Sequence, residues 1–208
     1  MAMKKITTLI AAFIAMGLSA QLPDSLDFVS PFHEGFAAIQ KENKWAFVDE
    51  TGNIVIDFRD DLYWNTDANT SYNDIRAMAY PQFSSDRCVV QKMVDGIPIF
   101  GFIDTTGKLV IEHQFLNVAP FANGWTTGII FEKVFRGKNE FNLDIYEFKF
   151  HEVLMDADGN INEFLNRRHN IQMTKRRYEI PEIRSKILNG NLIAVEKDNL
   201  WQIKKIDL

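Results

Sequence analysis

One stretch of this chain, residues 32–58 (FHEGFAAIQKENKWAFVDETGNIVIDF), returns in altered form up to the C-terminus. Its opening recurs in register, because LDFVSPF at residues 26–32 is repeated as FLNVAPF at residues 115–121. A short repeated unit cannot bury its own apolar face, so neighbouring copies have to stack on one another. The repetition therefore predicts an array of similar supersecondary units.

A turn motif of Asp, two spacers and Gly marks each full copy. Asp at the first position can hydrogen-bond the backbone two residues on, and Gly at the fourth takes the positive φ that a hairpin bulge requires. The turn residues are Asp49, Gly52, Asp104, Gly107, Asp156 and Gly159. The segments IVI and LVI, after the first two turns, are typical of strands. Each turn is therefore expected to reverse the chain.

These patterns predict an all-β fold, an array of antiparallel β-hairpin repeats arranged as a curved open sheet or in a barrel-like form. Three full units and a C-terminal partial unit are expected, because AVEKDNLW at residues 194–201 parallels AIQKENKW at residues 38–45. The aromatic content, 17 Phe, 4 Trp and 5 Tyr, also favours sheet. The units are placed approximately at residues 26–58, 76–115, 115–165 and 178–208, with insertions at residues 59–82 and 134–150.

The first 20 residues have the layout of a secretory signal peptide. Lys4 and Lys5 precede an apolar run at residues 6–18, and small residues follow up to Ala20. The run is shorter than the roughly 20 residues of a transmembrane helix, although a membrane anchor or a buried first helix is the alternative. We expect cleavage near Ala20 and a single periplasmic or secreted β domain at residues 21–208. No cysteine follows the run, so lipid attachment at a new N-terminal cysteine is not expected. No membrane span is expected after cleavage.

Charge and cysteine content narrow the function classes. A net charge of -5 and a pI of about 5.4 argue against nucleic acid as a partner, which requires a basic face. Cys88 is the single cysteine, so no intramolecular disulfide can form. Its position in a strand-like run indicates a small buried residue rather than a nucleophile or metal ligand.

The insertions differ from the repeats and are the candidate binding regions. Tyr63, Trp64 and Tyr72 lie among acidic residues in residues 59–82, and flat rings beside carboxylates are typical of carbohydrate binding. The alternative is that these rings cover the adjacent sheet. Residues 134–150 are interpreted as an extra hairpin that turns at residues 136–139, with a return arm whose alternation is that of a half-buried strand.

A basic run at residues 167–186 stands out in an acidic protein. Arg167, Arg168, Arg176 and Arg177 are its paired arginines. Such a run can contact an anionic component of the cell envelope by charge attraction. The alternative is a solvated face whose arginine stems cover apolar surface.

The residues that recur resemble the bacterial WG repeat. Its units carry an aromatic, two spacers and Gly, then a Trp-Gly-aromatic-aliphatic-Asp segment and a turn that ends in Gly. The match is good over residues 32–58 and weaker afterwards, since Phe-Gly replaces Trp-Gly in the second unit and Glu-Val replaces it in the third. The signature residues, with those of the turns given above, are Phe32, Gly35, Trp45, Phe100, Gly101, Phe121, Gly124 and Trp201. The resemblance implies an array of hairpins, usually non-catalytic, that mediates interactions, in which Trp45 and Trp201 are packing residues.

Catalytic and metal-binding motifs are not visible in the sequence. The four histidines are scattered, and no zinc, thiol-redox, serine-nucleophile or phosphate-loop motif is present. A calcium loop at Asp156 lacks the required Gly and Glu. We therefore expect no catalytic residue, no cofactor and no metal. The first hypothesis is an exported interaction module with a protein partner in the cell envelope, the second an envelope glycan-binding module, and the third an uncharacterised hydrolase.

Overall fold

A computed structural model describes residues 23, 25–168, 171 and 173–206 of the chain. The expected signal peptide therefore lies outside the described residues. Within them the chain is all-β, every strand pairing is antiparallel, and the one helical segment is a 3₁₀ turn, Ile75–Ala77. The predicted class of antiparallel hairpin repeats is confirmed. The strands are β1 (Phe28–Val29), β2 (Phe36–Lys41), β3 (Lys44–Asp49), β4 (Ile54–Arg59), β5 (Cys88–Val94), β6 (Ile97–Ile103), β7 (Leu109–Val118), β8 (Trp125–Lys138), β9 (Asp144–Asp156), β10 (Ile161–Arg168), β11 (Ser185–Asn189), β12 (Leu192–Lys197) and β13 (Leu200–Lys205).

The Asp turns form as the sequence predicts. In the first, the Asp49 carboxylate accepts hydrogen bonds from the backbone N–H of Thr51 and Asn53, both at 2.9 Å. Gly52 has φ +84° and donates its N–H to the carbonyl of Asp49 at 3.0 Å. Because an L side chain is strained at that φ, the glycine fixes where the chain reverses. The turns at Asp104 and Asp156 have the same hydrogen bonds.

Two further tight turns complete the first unit. The β2–β3 hairpin closes on two residues of positive φ, Glu42 and Asn43, which is the two-residue turn that matches strand twist. The aromatic-x-x-Gly motif is a second such turn, with positive φ at Glu34 and Gly35. Asp86, which replaces the glycine in the second unit, also adopts a positive φ, of 59°. The departure from the repeat pattern therefore keeps the geometry.

The strands form three open sheets within the described residues, in the orders β1-β2-β3-β4, β10-β9-β8-β7-β6-β5 and β11-β12-β13. Backbone bonds between residues 61–63 and β5 join the first sheet to the second, because Tyr63 N donates to Val89 O and Gln91 N to Asp61 O. The second unit therefore takes its first strand from the start of residues 59–82, and its insertion begins only after Tyr63.

Apolar residues pack between consecutive units as well as within the first one. Phe83, from the second unit's turn, lies 5.0 Å from Phe36 and 4.6 Å from Phe47 of the first unit, measured between ring centroids. Phe121, from the third unit, lies 4.8 Å from Phe102 of the second. Both turn residues are buried. The core thus includes interfaces between stacked hairpins, as the repetition predicts.

The ends of the array depart from the pattern. Trp45 is buried, but the equivalent Trp201 is 58% exposed, so the expectation that Trp201 packs in the core is wrong. Phe32 is likewise 53% exposed, although its equivalents Phe83 and Phe121 are buried. In both cases no neighbouring unit among the described residues lies over the ring.

Candidate functional site

Six of the exposed large apolar side chains of the described chain lie on the outer part of the hairpin formed by β8 and β9. β7 pairs with β8 no further than Ile130, and β10 pairs with β9 no further than Phe150. Beyond these residues β8 and β9 continue as a two-stranded ribbon that has no further strand partner among the described residues. We call this ribbon, residues 131–149, the projecting hairpin.

The tip of the projecting hairpin corrects the sequence prediction. The chain turns at residues 139–143, not at residues 136–139, because Asn139 takes the part that Asp takes in the other turns. Its side-chain oxygen accepts from the N–H groups of Phe141 and Leu143 at 3.0 and 2.9 Å, and Asn142 has φ 61°. Phe141 and Leu143 are 75% and 63% exposed at this tip.

An aromatic row follows one face of the hairpin from its tip to the core. Phe135 packs edge-to-face on Tyr146 at 5.6 Å, and Lys133 lies 4.1 Å above the centre of the Tyr146 ring. Phe148 stacks on Phe150, which is buried at the base. The predicted half-buried alternation of this arm therefore holds at its base, whereas Tyr146 and Phe148 are exposed.

Ion pairs keep the ribbon in register while leaving its rings open. Arg136 Nε donates to Glu147 Oε2 at 2.7 Å, and Lys138 Nζ lies 3.7 Å from Asp144 Oδ1. Since isolated two-stranded ribbons are marginal in water, cross-strand pairs of this kind and the aromatic contacts stabilise it. The surface is consequently a preformed strand pair with large apolar side chains.

A groove lies against the base of the hairpin, where β10 packs beside it. The groove lining is Ile130, Phe131, Glu132, His151, Phe164, Leu165 and Asn166. His151 Nε2 is 3.9 Å from Glu132 Oε2, and the His151 ring packs edge-to-face on Phe164 at 5.3 Å. The lining is mostly apolar, so the groove extends the apolar surface of the hairpin toward the third unit.

The rings of residues 59–82 are placed in the core more than on the surface. Tyr63 is buried edge-to-face against Phe100, and burial raises the pKa of its phenol to about 12. Trp64 is half-buried, edge-to-face on Trp45 at 5.6 Å. Tyr72 is 40% exposed, but the Arg76 guanidinium lies 3.7 Å above its ring. The structure does not bring the three rings together as one open platform.

The same loop is held by a buried carboxylate that sequence reasoning missed. Asp74 is fully buried, pairs with Arg76 at 2.6 Å and accepts from Asn117 Nδ2 at 2.8 Å. Asn117 Nδ2 also donates to Pro181 O at 2.8 Å. This set ties the insertion to the strand that opens the third unit.

The basic run is divided between strand and loop. Arg167 and Arg168 lie at the end of β10. Arg176 and Arg177 are exposed in a turn closed by bonds to Thr174 O. These last two residues therefore lie on the surface.

The Glu-Val pair that replaces Trp-Gly in the third unit has a structural role. Glu152 is fully buried, and its Oε1 accepts from Ser185 Oγ at 2.6 Å and from Arg184 N at 2.8 Å. Glu152 stands four residues before the turn Asp156, as Trp45 does before Asp49. A carboxylate thus attaches the fourth unit where an aromatic attaches the second.

Reactive groups are dispersed in the described part of the chain. Cys88 is fully buried, which raises the pKa of its thiol to about 12. His33 Nδ1 hydrogen-bonds Phe83 O at 2.8 Å, and burial lowers the pKa of His113. Over the described residues no group of three potential ligands could hold a metal ion. Nor does that part of the chain contain a helix of sufficient length and apolarity to cross a bilayer.

Comparison with known protein families finds a match for part of these hairpins. The family described as the WG containing repeat matches residues 26–45, which cover β1, β2 and the start of β3, and residues 100–127, which run from within β6 to the start of β8. These two segments of the chain match the WG repeat. Neither a curated protein nor a solved structure matches the chain. The matched residues lie in the stacked units, and the projecting hairpin lies outside both matched segments.

Proposed function

We propose that this protein is a non-enzymatic interaction module of the cell envelope, and that its projecting hairpin binds a partner protein. The carrying observation is the exposure of large apolar side chains on a preformed ribbon: Phe135 at 54%, Phe141 at 75% and Leu143 at 63%. Surface patches of this kind are typical of interaction sites. Burying each side chain against a partner would contribute about 1.5–3 kcal/mol.

The remaining surface supports a protein rather than another polymer. The net charge of -5 is unsuited to nucleic acid. Of the three rings that the carbohydrate hypothesis requires, only Tyr72 is exposed, and the Arg76 guanidinium already covers that ring. Aromatic rings together with arginine at the ribbon, by contrast, are the residue types enriched in protein interfaces.

Envelope location is part of the proposal and rests on the sequence of residues 1–20, with two lysines before an apolar run. N-terminal sequencing of the protein recovered from the periplasm or medium of its own organism should begin near residue 21. Recovery from the cytoplasm with the first residues intact would contradict this part of the proposal.

The binding site is tested with a shortened hairpin. Glu132 and Lys149 lie opposite each other in the ribbon, so residues 133–148 can be replaced by a two-residue Asn-Gly turn. This shortened chain keeps the stacked units but lacks the aromatic row. It should therefore fail to capture the partner proteins that the parent chain enriches from the envelope fraction. The matched control is the double variant Arg176→Ala and Arg177→Ala, which changes another exposed surface and should retain them.

Two outcomes would contradict the proposal. One is equal enrichment by the shortened and parent chains. The other is loss of binding in the double arginine variant alone, which would move the site to the basic run. Circular dichroism and the thermal midpoint of each variant show that the comparison is made between folded proteins.

A further inference from the structure

Among the described residues, the last hairpin lacks a neighbouring strand that its equivalents have. β3 pairs with β4, β6 with β7 and β9 with β10, whereas among the described residues β13 pairs with β12 alone. The free side of β13 is called the open edge. An unpaired edge presents a row of N–H and C=O groups that can pair with another strand.

The open edge carries apolar residues that elsewhere in the chain form the core. Trp201 and Ile203 are 58% and 66% exposed, while the equivalent Trp45 and Phe47 are 2% and 1% exposed. The exposed fractions differ because the first hairpin is covered by a neighbouring unit, whereas no described unit covers the last hairpin; the residue types at these positions are equally apolar. The fourth unit therefore exposes a surface that the repeat geometry buries in the first unit.

The direction of the backbone groups follows from the hydrogen bonds of β12. Ile206 N donates to Asn191 O, and Glu196, which lies opposite Trp201, donates its N–H to Arg184 O on the other side of its strand. In an antiparallel ladder the bonding direction alternates along each strand. The N–H and C=O groups of Trp201 and Ile203 consequently point to the open edge.

We propose that β13 pairs antiparallel with β13 of a second copy of this chain, across a two-fold axis at Gln202. In that register Trp201 of each copy lies opposite Ile203 of the other. Their outward N–H and C=O groups form hydrogen bonds in two reciprocal pairs. Each indole covers an isoleucine, so both exposed apolar side chains become buried together.

The sequence of the strand, LWQIKK, makes this register self-complementary. Lys204 lies opposite Leu200 of the other copy, so no like charges face each other across the axis. A register centred on Lys204 would instead oppose two ammonium groups. Lys204 is also paired with Glu163 at 2.8 Å, which holds the fourth unit against β10 and offsets its charge. Edge strands that avoid pairing usually carry charges along the whole edge, and this one places them at one end.

The first test is the mass in solution over a range of concentrations. Light scattering coupled to size exclusion should show a species with twice the mass of the single chain, in a proportion that rises with concentration. Ile203→Lys should weaken this association by about tenfold or more, since it removes an apolar contact and charges the edge. Phe141→Lys, at the tip of the projecting hairpin, is the matched control and should leave it unchanged.

The register is tested by cross-linking. The Cα atoms of opposed Gln202 residues would lie about 4.5–5.5 Å apart, within disulfide range. Gln202→Cys should therefore form a covalent dimer on mild oxidation, and Ser71→Cys on the exposed insertion should not. Cys88 is fully buried and does not compete.

A monomer at every concentration would overturn the proposal, as would equal dimerisation of the Ile203→Lys variant or equal cross-linking of the two cysteine variants. The shortened hairpin should dimerise as the parent chain does. Failure of the open edge is therefore distinguishable from failure of the hairpin to bind a partner.

Discussion

The packing of each unit on the preceding one is tested most sharply at one aromatic position of the turn, which recurs in three units. Phe32, Phe83 and Phe121 occupy the same turn, but only the last two lie on a preceding hairpin, with exposures of 53%, 1% and 4%. Replacing Phe83 by Ala removes a buried ring with two aromatic neighbours, so the free energy of unfolding should fall by about 3–5 kcal/mol. Phe121→Ala should cost a similar amount, and Phe32→Ala should change stability by about 0.5 kcal/mol or less.

Urea unfolding followed by circular dichroism measures these differences. With a slope of about 2–3 kcal/mol per molar urea, Phe83→Ala should move the midpoint down by about 1–2.5 M, whereas Phe32→Ala should leave it nearly in place. Equal losses for Phe32→Ala and Phe83→Ala would refute the reasoning, because the cost would then belong to the turn itself. A negligible loss for Phe83→Ala would refute the packing between units.

Three further predictions follow from buried or hydrogen-bonded polar groups. The Cys88 thiol, buried and with a pKa of about 12, should not react with Ellman's reagent at pH 8 until the chain is unfolded; rapid reaction of the native protein would contradict its burial. Glu152→Ala should lower the free energy of unfolding by about 1–3 kcal/mol, since the N–H of Arg184 and the hydroxyl of Ser185 lose their acceptor; an unchanged urea midpoint would contradict this role. Hydrogen bonds lower the pKa of Asp104 below 3.8 in the folded protein, and the bond from the Thr106 side chain has the largest effect. The stability that the Asp104 carboxylate contributes is therefore present above pH 3.8 and is lost as the pH falls through its pKa in the folded protein. Asp104→Asn should accordingly lose less stability than the parent between about pH 5 and pH 2, and equal acid sensitivity of the two proteins would contradict this role.

Local chemistry explains what could be predicted from the sequence. The Asp turns depend on one carboxylate and one glycine within four residues, and the structure places Asp49 and Gly52 as expected. The same rule could have located the tip of the projecting hairpin, because Asn139 and Asn142 can replace Asp and Gly. Antiparallel hairpins and stacking follow from the repetition of these local signals.

Burial at the candidate sites could not be predicted in the same way, because it depends on which unit covers which face. Tyr63 looks like an exposed ring in a polar loop, yet the strand that it belongs to pairs with β5 and places it against Phe100. Trp201 looks like a core residue by its likeness to Trp45, yet no described strand covers it. Such differences arise from contacts between distant segments, which the pattern of a single repeat does not contain.

The central claim, that a stacked scaffold carries a free ribbon, is tested most directly by amide hydrogen exchange in the native protein. The β6 amides, bonded to β5 or β7 inside the stack, should exchange only by global unfolding, while those of residues 134–147 should exchange through local opening, orders of magnitude faster. Equal protection of the two segments would show that the ribbon is part of the core. Fast exchange throughout β6 would show that the stacked units do not form the scaffold described.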